Sequence, residues 1–268
     1  MNSHILSADR VSAGYDSKKI ISDISLTIPD KKITVIIGAN GCGKSTLLKS
    51  FSRLITPSQG HVLLDGKDIS ALPPKQVAQK LGLLPQSPTA PNGIKVTDLV
   101  ARGRFPYRQF MKTMTSHDFQ AVEEAMEIMG ITKLADRSID ELSGGQRQRV
   151  WIALALAQQT DILLLDEPTT FLDISYQIEI LDLLTDLNRK KMTTIVMVLH
   201  DINLSARYAD YLFAMKRGSL AAQGHPREII TPELMKEIYG LDCMVTEDPV
   251  SLTPLIVPKG RHHLKTAL

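Results

Sequence analysis

The chain has 268 residues, of which 43% are hydrophobic and 22% charged, and 31 Lys and Arg against 29 Asp and Glu leave a formal net charge of +2. That length can bury a substantial globular core, and so small a net charge gives no electrostatic case for a nucleic-acid partner. Two cysteines, Cys42 and Cys243, exclude a disulfide framework and fit a reducing compartment. No apolar run reaches the ~18 residues that span a bilayer, and Met1-Asn2-Ser3-His4-Ile5 lacks the basic-then-apolar shape of a signal peptide. A cytosolic protein that meets a membrane only through a partner is expected.

In chain order, residues 4–11 and 24–28 read as strands separated by the turn Ala13-Gly14-Tyr15-Asp16-Ser17. The β-branched run Ile33-Thr34-Val35-Ile36-Ile37 reads as a buried strand. It leads into Gly38-Ala39-Asn40-Gly41-Cys42-Gly43-Lys44-Ser45-Thr46, and Leu47 to Phe51 continue as a helix. Strand, glycine-rich loop and Lys-Ser/Thr at a helix start form the phosphate loop of nucleoside triphosphate binders. Gly38, Gly41 and Gly43 let backbone N–H groups face the phosphates. Lys44 supplies a point charge for the β- and γ-phosphates, Ser45 is placed to ligate Mg²⁺, and Thr46 to donate to the α-phosphate.

Pro57-Ser58-Gln59-Gly60 breaks that helix, and His61 to Ile69 predict a hairpin around the turn Asp65-Gly66. A short helix over 74–80 and the strand Leu81 to Leu84 follow, ending at Pro85-Gln86. Residues 87–92 read as a loop. Beyond it the pattern is helical through Val96 to Ala101, an irregular Arg102-Gly103-Arg104-Phe105-Pro106-Tyr107, and a helix over 116–129 stopped by Gly130. This predicts a helical insertion over about 93–157. Strand 162–166, helix 174–190, strand 193–198, helix 203–208 and strand 211–215 then restore the alternation of an α/β fold with a mostly parallel sheet.

Ile162-Leu163-Leu164-Leu165 ends in Asp166 and Glu167, at the carboxyl end of a strand where open α/β sheets bind ligands. Asp166 is placed to hold Mg²⁺, directly or through water, opposite Ser45, and Glu167 to address an attacking water. Gln86 and His200 also stand at strand ends. Gln86 is placed to orient water or contact Mg²⁺; a lone His at a strand end is more often structural, but a strand end in a phosphate-loop sheet favours a functional one. Leu142-Ser143-Gly144-Gly145-Gln146 opens the helix from Arg147 to Ala157 as a second anion-seeking helix start, with more glycine than a cap requires. The first phosphate loop already surrounds its own phosphates, so this one most simply serves a nucleotide on another copy. Arg261-His262-His263-Leu264-Lys265 offers two histidines without a third ligand, and no metal is assigned there.

With these motifs in this order, the whole chain resembles the ATP-binding cassette family, the ATPase subunits of membrane transporters, most diagnostically at Leu142 to Gln146. The resemblance implies a P-loop NTPase (RecA-like) core with an N-terminal antiparallel β subdomain over 1–92 and 158–230. It also implies a helical subdomain over 93–157 and a short extension over 231–268. It places Tyr15 under the adenine ring, makes Glu167 the general base with His200 a γ-phosphate clamp and Lys44 and Gln86 beside the reacting group, and sets Asp173 at a dimer seam. ATP and Mg²⁺ are the implied cofactors. Two copies would enclose each ATP between one phosphate loop and the other copy's Ser143, Gly144, Gly145 and Gln146.

The implied partners are two integral permease subunits and, indirectly, an extracytoplasmic substrate-binding protein, with the chain peripheral at the cytoplasmic face of the inner membrane. The segment 87–110, with exposed-looking Arg102, Arg104, Phe105, Tyr107 and Arg108, is the expected permease dock. Asn40 to Lys44, Gly103 to Tyr107, Pro168 to Ile174 and the tail from Thr231-Pro232-Glu233 to Pro258 resemble importers of ferric siderophores, with haem and cobalamin importers as near alternatives. Ala39 departs from the Pro frequent in relatives, at a position that needs only a tolerant backbone. A soluble cassette ATPase acting on nucleic acid or ribosomes is the competing class. Against it stand one cassette, no sustained heptads and no Cys-x-x-Cys pair. A GTPase switch lacks its Asn-Lys-x-Asp motif here.

Overall fold

The structure, a computed structural model, describes residues 3–16, 18–108, 113–170 and 172–260. Ser17, Phe171, positions 109–110 of the expected dock and the His262-His263 pair lie outside them.

β1 (Leu6–Tyr15) pairs antiparallel with β2 (Lys18–Thr27). β3 (Ile33–Ile37) runs through the phosphate loop into α1 (Lys44–Phe51). β4 (Gln59–Leu64) and β5 (Lys67–Asp68) form the expected hairpin, with Asp65 and Gly66 at positive φ. α2 (Pro74–Lys80) precedes β6 (Leu81–Leu84). Three helices follow: α3 (Val96–Ala101), α4 (Ser116–Ile128) and α5 (Gly144–Ala157). The alternation then resumes through β7 (Ile162–Asp166), α6 (Ile174–Lys191), β8 (Thr194–Val198), α7 (Ile202–Tyr208), β9 (Tyr211–Lys216) and β10 (Ser219–Gly224). The chain continues through α8 (Pro226–Ile229), α9 (Pro232–Tyr239) and the hairpin β11 (Cys243–Glu247) with β12 (Pro254–Pro258).

Six strands form the central sheet in the order β10-β9-β3-β8-β7-β6, parallel except for the edge strand β10. A second, antiparallel sheet has the order β2-β1-β4-β5. Every residue of β3, β7 and β8 is buried. Alternate residues face opposite layers, as the two-residue period of a strand requires. Ile36, Leu164 and Val198 pack with Leu47, Phe51 and the antiparallel sheet, whereas Val35, Leu165 and Met197 pack with α3, α5, α6 and α9. Among the described residues no helix is long and apolar enough to cross a membrane.

The first hairpin differs from expectation. Ala13 and Gly14 belong to β1 rather than to a turn, and β2 begins at Lys18 instead of Ile24. The register shifts between Ala13 and Gly14, where a Cβ on Gly14 would lie 2.0 Å from the Lys18 carbonyl oxygen. The glycine therefore marks a close backbone approach within a bulged strand, and read by itself in a sequence it imitates a turn.

Arg104 also differs. Expected on the docking surface, it is 1% exposed. Its Nε donates to Asp118 Oδ1 at 2.8 Å, and its Nη1 donates to the Ala157 carbonyl at 2.8 Å and to Gln159 Oε1 at 3.1 Å. The Tyr107 ring, half-buried, lies 4.0 Å from the guanidinium carbon. Arginine is rarely this buried unless its charge is paired and its donors are met, and here Asp118 pairs the charge while the Ala157 and Gln159 oxygens take further donors. The residue thus ties the 102–107 turn to the start of α4 and the end of α5. Arg102, Phe105 and Arg108 remain exposed.

Burial would raise the Asp118 carboxyl. The Thr115 amide at 2.9 Å, the Thr115 hydroxyl at 2.7 Å and Arg104 outweigh it and bring it from 3.8 down to about 2. Its contribution to stability is therefore complete above about pH 4 and drains away as pH falls toward 2. Asp118→Asn should cost about 3–5 kcal/mol in urea unfolding at neutral pH, because it leaves the Arg104 charge buried and unpaired. It should also flatten the loss of stability between pH 4 and 2. An unchanged urea midpoint at pH 7 would contradict this assignment.

Candidate active site

β3 is apolar to its end, and the chain must turn there under β9. A Cβ on Gly38 would lie 2.4 Å from the Met215 carbonyl oxygen, and its φ is +144°. The loop closes on Gly43, which stands before α1 with no side chain capping the helix. The first-turn amides of α1 therefore have no competing side-chain acceptor, the condition for an anion site at a helix start. Lys44 is 6% exposed and folds back into the loop, donating from Nζ to the carbonyls of Gly38 at 2.8 Å and Ala39 at 3.2 Å. Thr46 is buried beneath the loop, while Asn40 and Gly41 form its exposed crest. Cys42 is buried and unpaired with sulfur; burial pushes its thiol up, so it stays neutral beside Lys44.

The parallel register sets Asp166 opposite Val198 and Val198 opposite Ile36, so β7, β8 and β3 end side by side. Ser45 Oγ consequently donates to Asp166 Oδ1 at 2.9 Å. Asp166 is 2% exposed, and its Oδ2 is buried without a hydrogen-bond partner among the described residues. Burial pushes its carboxyl up, opposed by the Ser45 bond and reinforced by Glu167. A buried, unpartnered carboxylate oxygen beside a serine hydroxyl fits a divalent cation, which would supply the missing charge. No group of three or more His, Cys, Asp or Glu that could hold a metal occurs among the described residues. Such an ion would therefore draw its other ligands from phosphate, water or an uncharged side chain.

Glu167 lies next along the chain, 8% exposed, at a φ of +56° that non-glycine residues seldom adopt. Three donors converge on its carboxylate. Gln86 Nε2 at 2.7 Å and Thr170 Oγ1 at 3.0 Å reach Oε2, and His200 Nε2 lies 2.7 Å from Oε1. Burial would raise this carboxyl, but the hydrogen bonds from His200, Thr170 and Gln86 win and hold it below its ordinary value. It is an oriented carboxylate beside a cavity of about 230 Å³ lined also by Gln177 and Asp201. Gln86, Glu167 and His200 thus meet at one point, reached from the ends of β6, β7 and β8. Thr170, singled out in the sequence only for its resemblance to a subgroup, joins them. Its spacing of three from Glu167 carries no periodic signal that could have assigned it.

The remaining residues lie apart from this point. Tyr15 ends β1, 46% exposed, its hydroxyl accepting from Lys49 Nζ at 3.3 Å. Asp173 caps α6, accepting from the Tyr176 amide at 3.1 Å. Ser143 and Gln146 form a capping box on α5, at 3.3 Å and 3.2 Å. Gln148 Nε2 links α5 to the Pro168 carbonyl at 2.7 Å, just past Glu167. Among the described residues, no hydrogen bond or ion pair joins 143–146 to 38–46.

Residues 21–170 match the ABC transporter family. The ferric enterobactin transport ATP-binding protein FepC of Escherichia coli is 52% identical, over 98% of this chain and 97% of its own. The iron(3+)-hydroxamate import ATP-binding protein FhuC of Bacillus subtilis is 44% identical, over 95% and 94%. Among solved structures, an inward-facing ABC transporter of metal-chelate type superposes with a TM-score of 0.84 at 29% identity, covering 98% of this chain and 100% of that one. A dimeric bacterial ABC transporter cassette superposes at 0.72 with 26% identity, covering 82% and 98%. With a family match over more than half of its length and relatives of this identity along nearly all of it, the chain belongs to the ABC transporter family.

Proposed function

We propose that the chain is the ATP-hydrolysing subunit of an importer for iron(III)-siderophore complexes, working as a homodimer beneath two permease subunits at the cytoplasmic face of the inner membrane. The catalytic part rests on one observation above others: Ser45 and Asp166 meet with one carboxylate oxygen unpartnered, and Glu167 stands beside them with three donors. The cargo rests on the relatives named above, which serve ferric enterobactin and iron(3+)-hydroxamate transport.

In this reading the loop amides and Lys44 hold the β- and γ-phosphates, Thr46 the α-phosphate, and Tyr15 the adenine. Ser45 and Asp166, with Gln86 as a further ligand, would hold Mg²⁺, which would neutralise phosphate charge. Glu167 orients a water and accepts its proton as the water oxygen bonds to the γ-phosphorus. The bond to the bridging oxygen breaks, leaving ADP and phosphate. His200, on the opposite carboxylate oxygen from Gln86, orients Glu167 and reaches toward the γ-phosphate.

The second copy supplies Ser143 and Gly145. Ser143 Oγ accepts from the Gln146 amide, so its own proton is available to a phosphate. A Cβ on Gly144 would meet nothing within 4 Å, and its φ is not positive. Its own chain gives no steric reason for glycine there, whereas a close approach by a second molecule does. ATP then favours closure because only the closed pair offers both halves of each site. Loss of the γ-phosphate removes that preference. Asp173 lies at the seam. Arg102, Phe105 and Arg108 form the permease dock, with Phe105 75% exposed and Tyr107 buttressing from below.

Glu167→Gln should lower ATP turnover by about 10²- to 10⁴-fold while leaving nucleotide binding intact. Turnover at the parental rate would remove Glu167 from its role. Vesicles containing the chain with its permease should take up a radiolabelled ferric siderophore only with ATP. Uptake of haem or cobalamin in its place would overturn the cargo. Changing Phe105 to Ala together with Arg108 to Glu should leave ATP hydrolysis by the isolated subunit but abolish coupled uptake, and undiminished uptake would reject the dock.

A further inference from the structure

We infer that Tyr239, on the C-terminal extension, is a positioning residue for the phosphate loop. Its hydroxyl accepts a hydrogen bond from the Gly38 amide at 2.8 Å, across 201 residues of sequence. The inference rests on reading 38–46 as the phosphate loop.

Gly38 is the hinge at which β3 becomes the loop. Lacking a Cβ, it has no side-chain sterics to restrict its rotation, and the carbonyl of Met215 permits nothing larger. Its neighbouring peptide planes must be held by partners. Lys44 Nζ holds the plane after Gly38 through its carbonyl, and Tyr239 holds the plane before it through its amide. Among the described residues, no other group bonds that amide. The hinge that sets the direction of the loop, and with it the carbonyl to which Lys44 is tethered, is therefore fixed from outside the loop.

The helix that carries Tyr239 is itself firmly seated. Leu234, Met235 and Ile238 are buried in the core beneath β9, Glu237 pairs with Lys216 at 3.1 Å, and Gly240 ends the helix in the left-handed region. Burial pushes the phenol up to about 12, against the opposing Gly38 bond, so the hydroxyl keeps its proton throughout the working pH range. The C-terminal extension thereby becomes part of the nucleotide site without touching nucleotide. A preset hinge lowers the ordering cost of binding, and it does so equally in the ground and transition states.

The test is steady-state ATP hydrolysis by Tyr239→Phe, which removes only the hydroxyl. KM for ATP should rise about 3- to 10-fold with kcat nearly unchanged, as loss of one hydrogen bond to a preorganised loop predicts. Glu233→Gln, an exposed change at the start of the same helix that lines no cavity shared with the loop, should leave KM at its parental value. An unchanged KM in Tyr239→Phe, an equal rise in both variants, or a fall confined to kcat would each overturn the inference. Lys44→Ala, measured alongside, separates the two readings. If it hydrolyses ATP like the parent, the phosphate-loop reading itself fails; if it is inactive and Tyr239→Phe is unaffected, only the role of Tyr239 fails.

Discussion

The site depends on the relative level at which three adjacent parallel strands end. β3, β8 and β7 are buried on both faces, so apolar alternation by itself gives little reason for one register over its neighbours. Polar ends remove that freedom. Ser45, in the first turn of α1, reaches Asp166 at the end of β7 at 2.9 Å, and Gly38 sits beneath the Met215 carbonyl of β9. Sliding β7 relative to β3 by one residue, about 3.3 Å, would break the Ser45 bond, and sliding β3 relative to β9 would drive Gly38 into its neighbour. The chemistry at the carboxyl ends and the packing of the sheet are therefore one constraint.

That constraint places two consecutive carboxylates in opposite surroundings. Asp166 faces inward, has one partner and is pushed up; Glu167 takes a strained backbone, gathers three donors and is held down. Neighbouring acids with opposite shifts divide their work. The first suits a cation that relieves its buried charge, and the second suits a water whose proton it can take. The same donors that ionise Glu167 also lower its basicity, so a rearrangement of Gln86 or Thr170 would strengthen it as a base. A second molecule approaching the α5 start, which Gln148 links to Pro168, has a short physical route to that rearrangement.

Sequence legibility followed the locality of the interactions. The phosphate loop, the Asp65-Gly66 hairpin and the Asp166-Glu167 strand end depend on residues within a few positions of one another, and each is present where its pattern indicates. Gly14 misled because a close approach to Lys18 and a tight turn both demand glycine. Arg104 misled because its burial depends on Asp118, Ala157 and Gln159, none of them near it in sequence. Thr170 carried only a family resemblance, because a hydroxyl three residues past a carboxylate has no periodic pattern, and Tyr239 carried no signal, because its partner lies 201 residues away in sequence.

Within one copy, the Ser143 turn and the phosphate loop share no bond among the described residues, and Gly144 has empty space where its side chain would be. In the function proposed above, a twin molecule closes over the nucleotide and fills that space. The most direct measurement is ATP hydrolysis per protomer across a wide range of protein concentration. Specific activity should rise with concentration and level off once the pair forms. A constant specific activity down to concentrations at which sedimentation shows only monomer would contradict a site built from two chains.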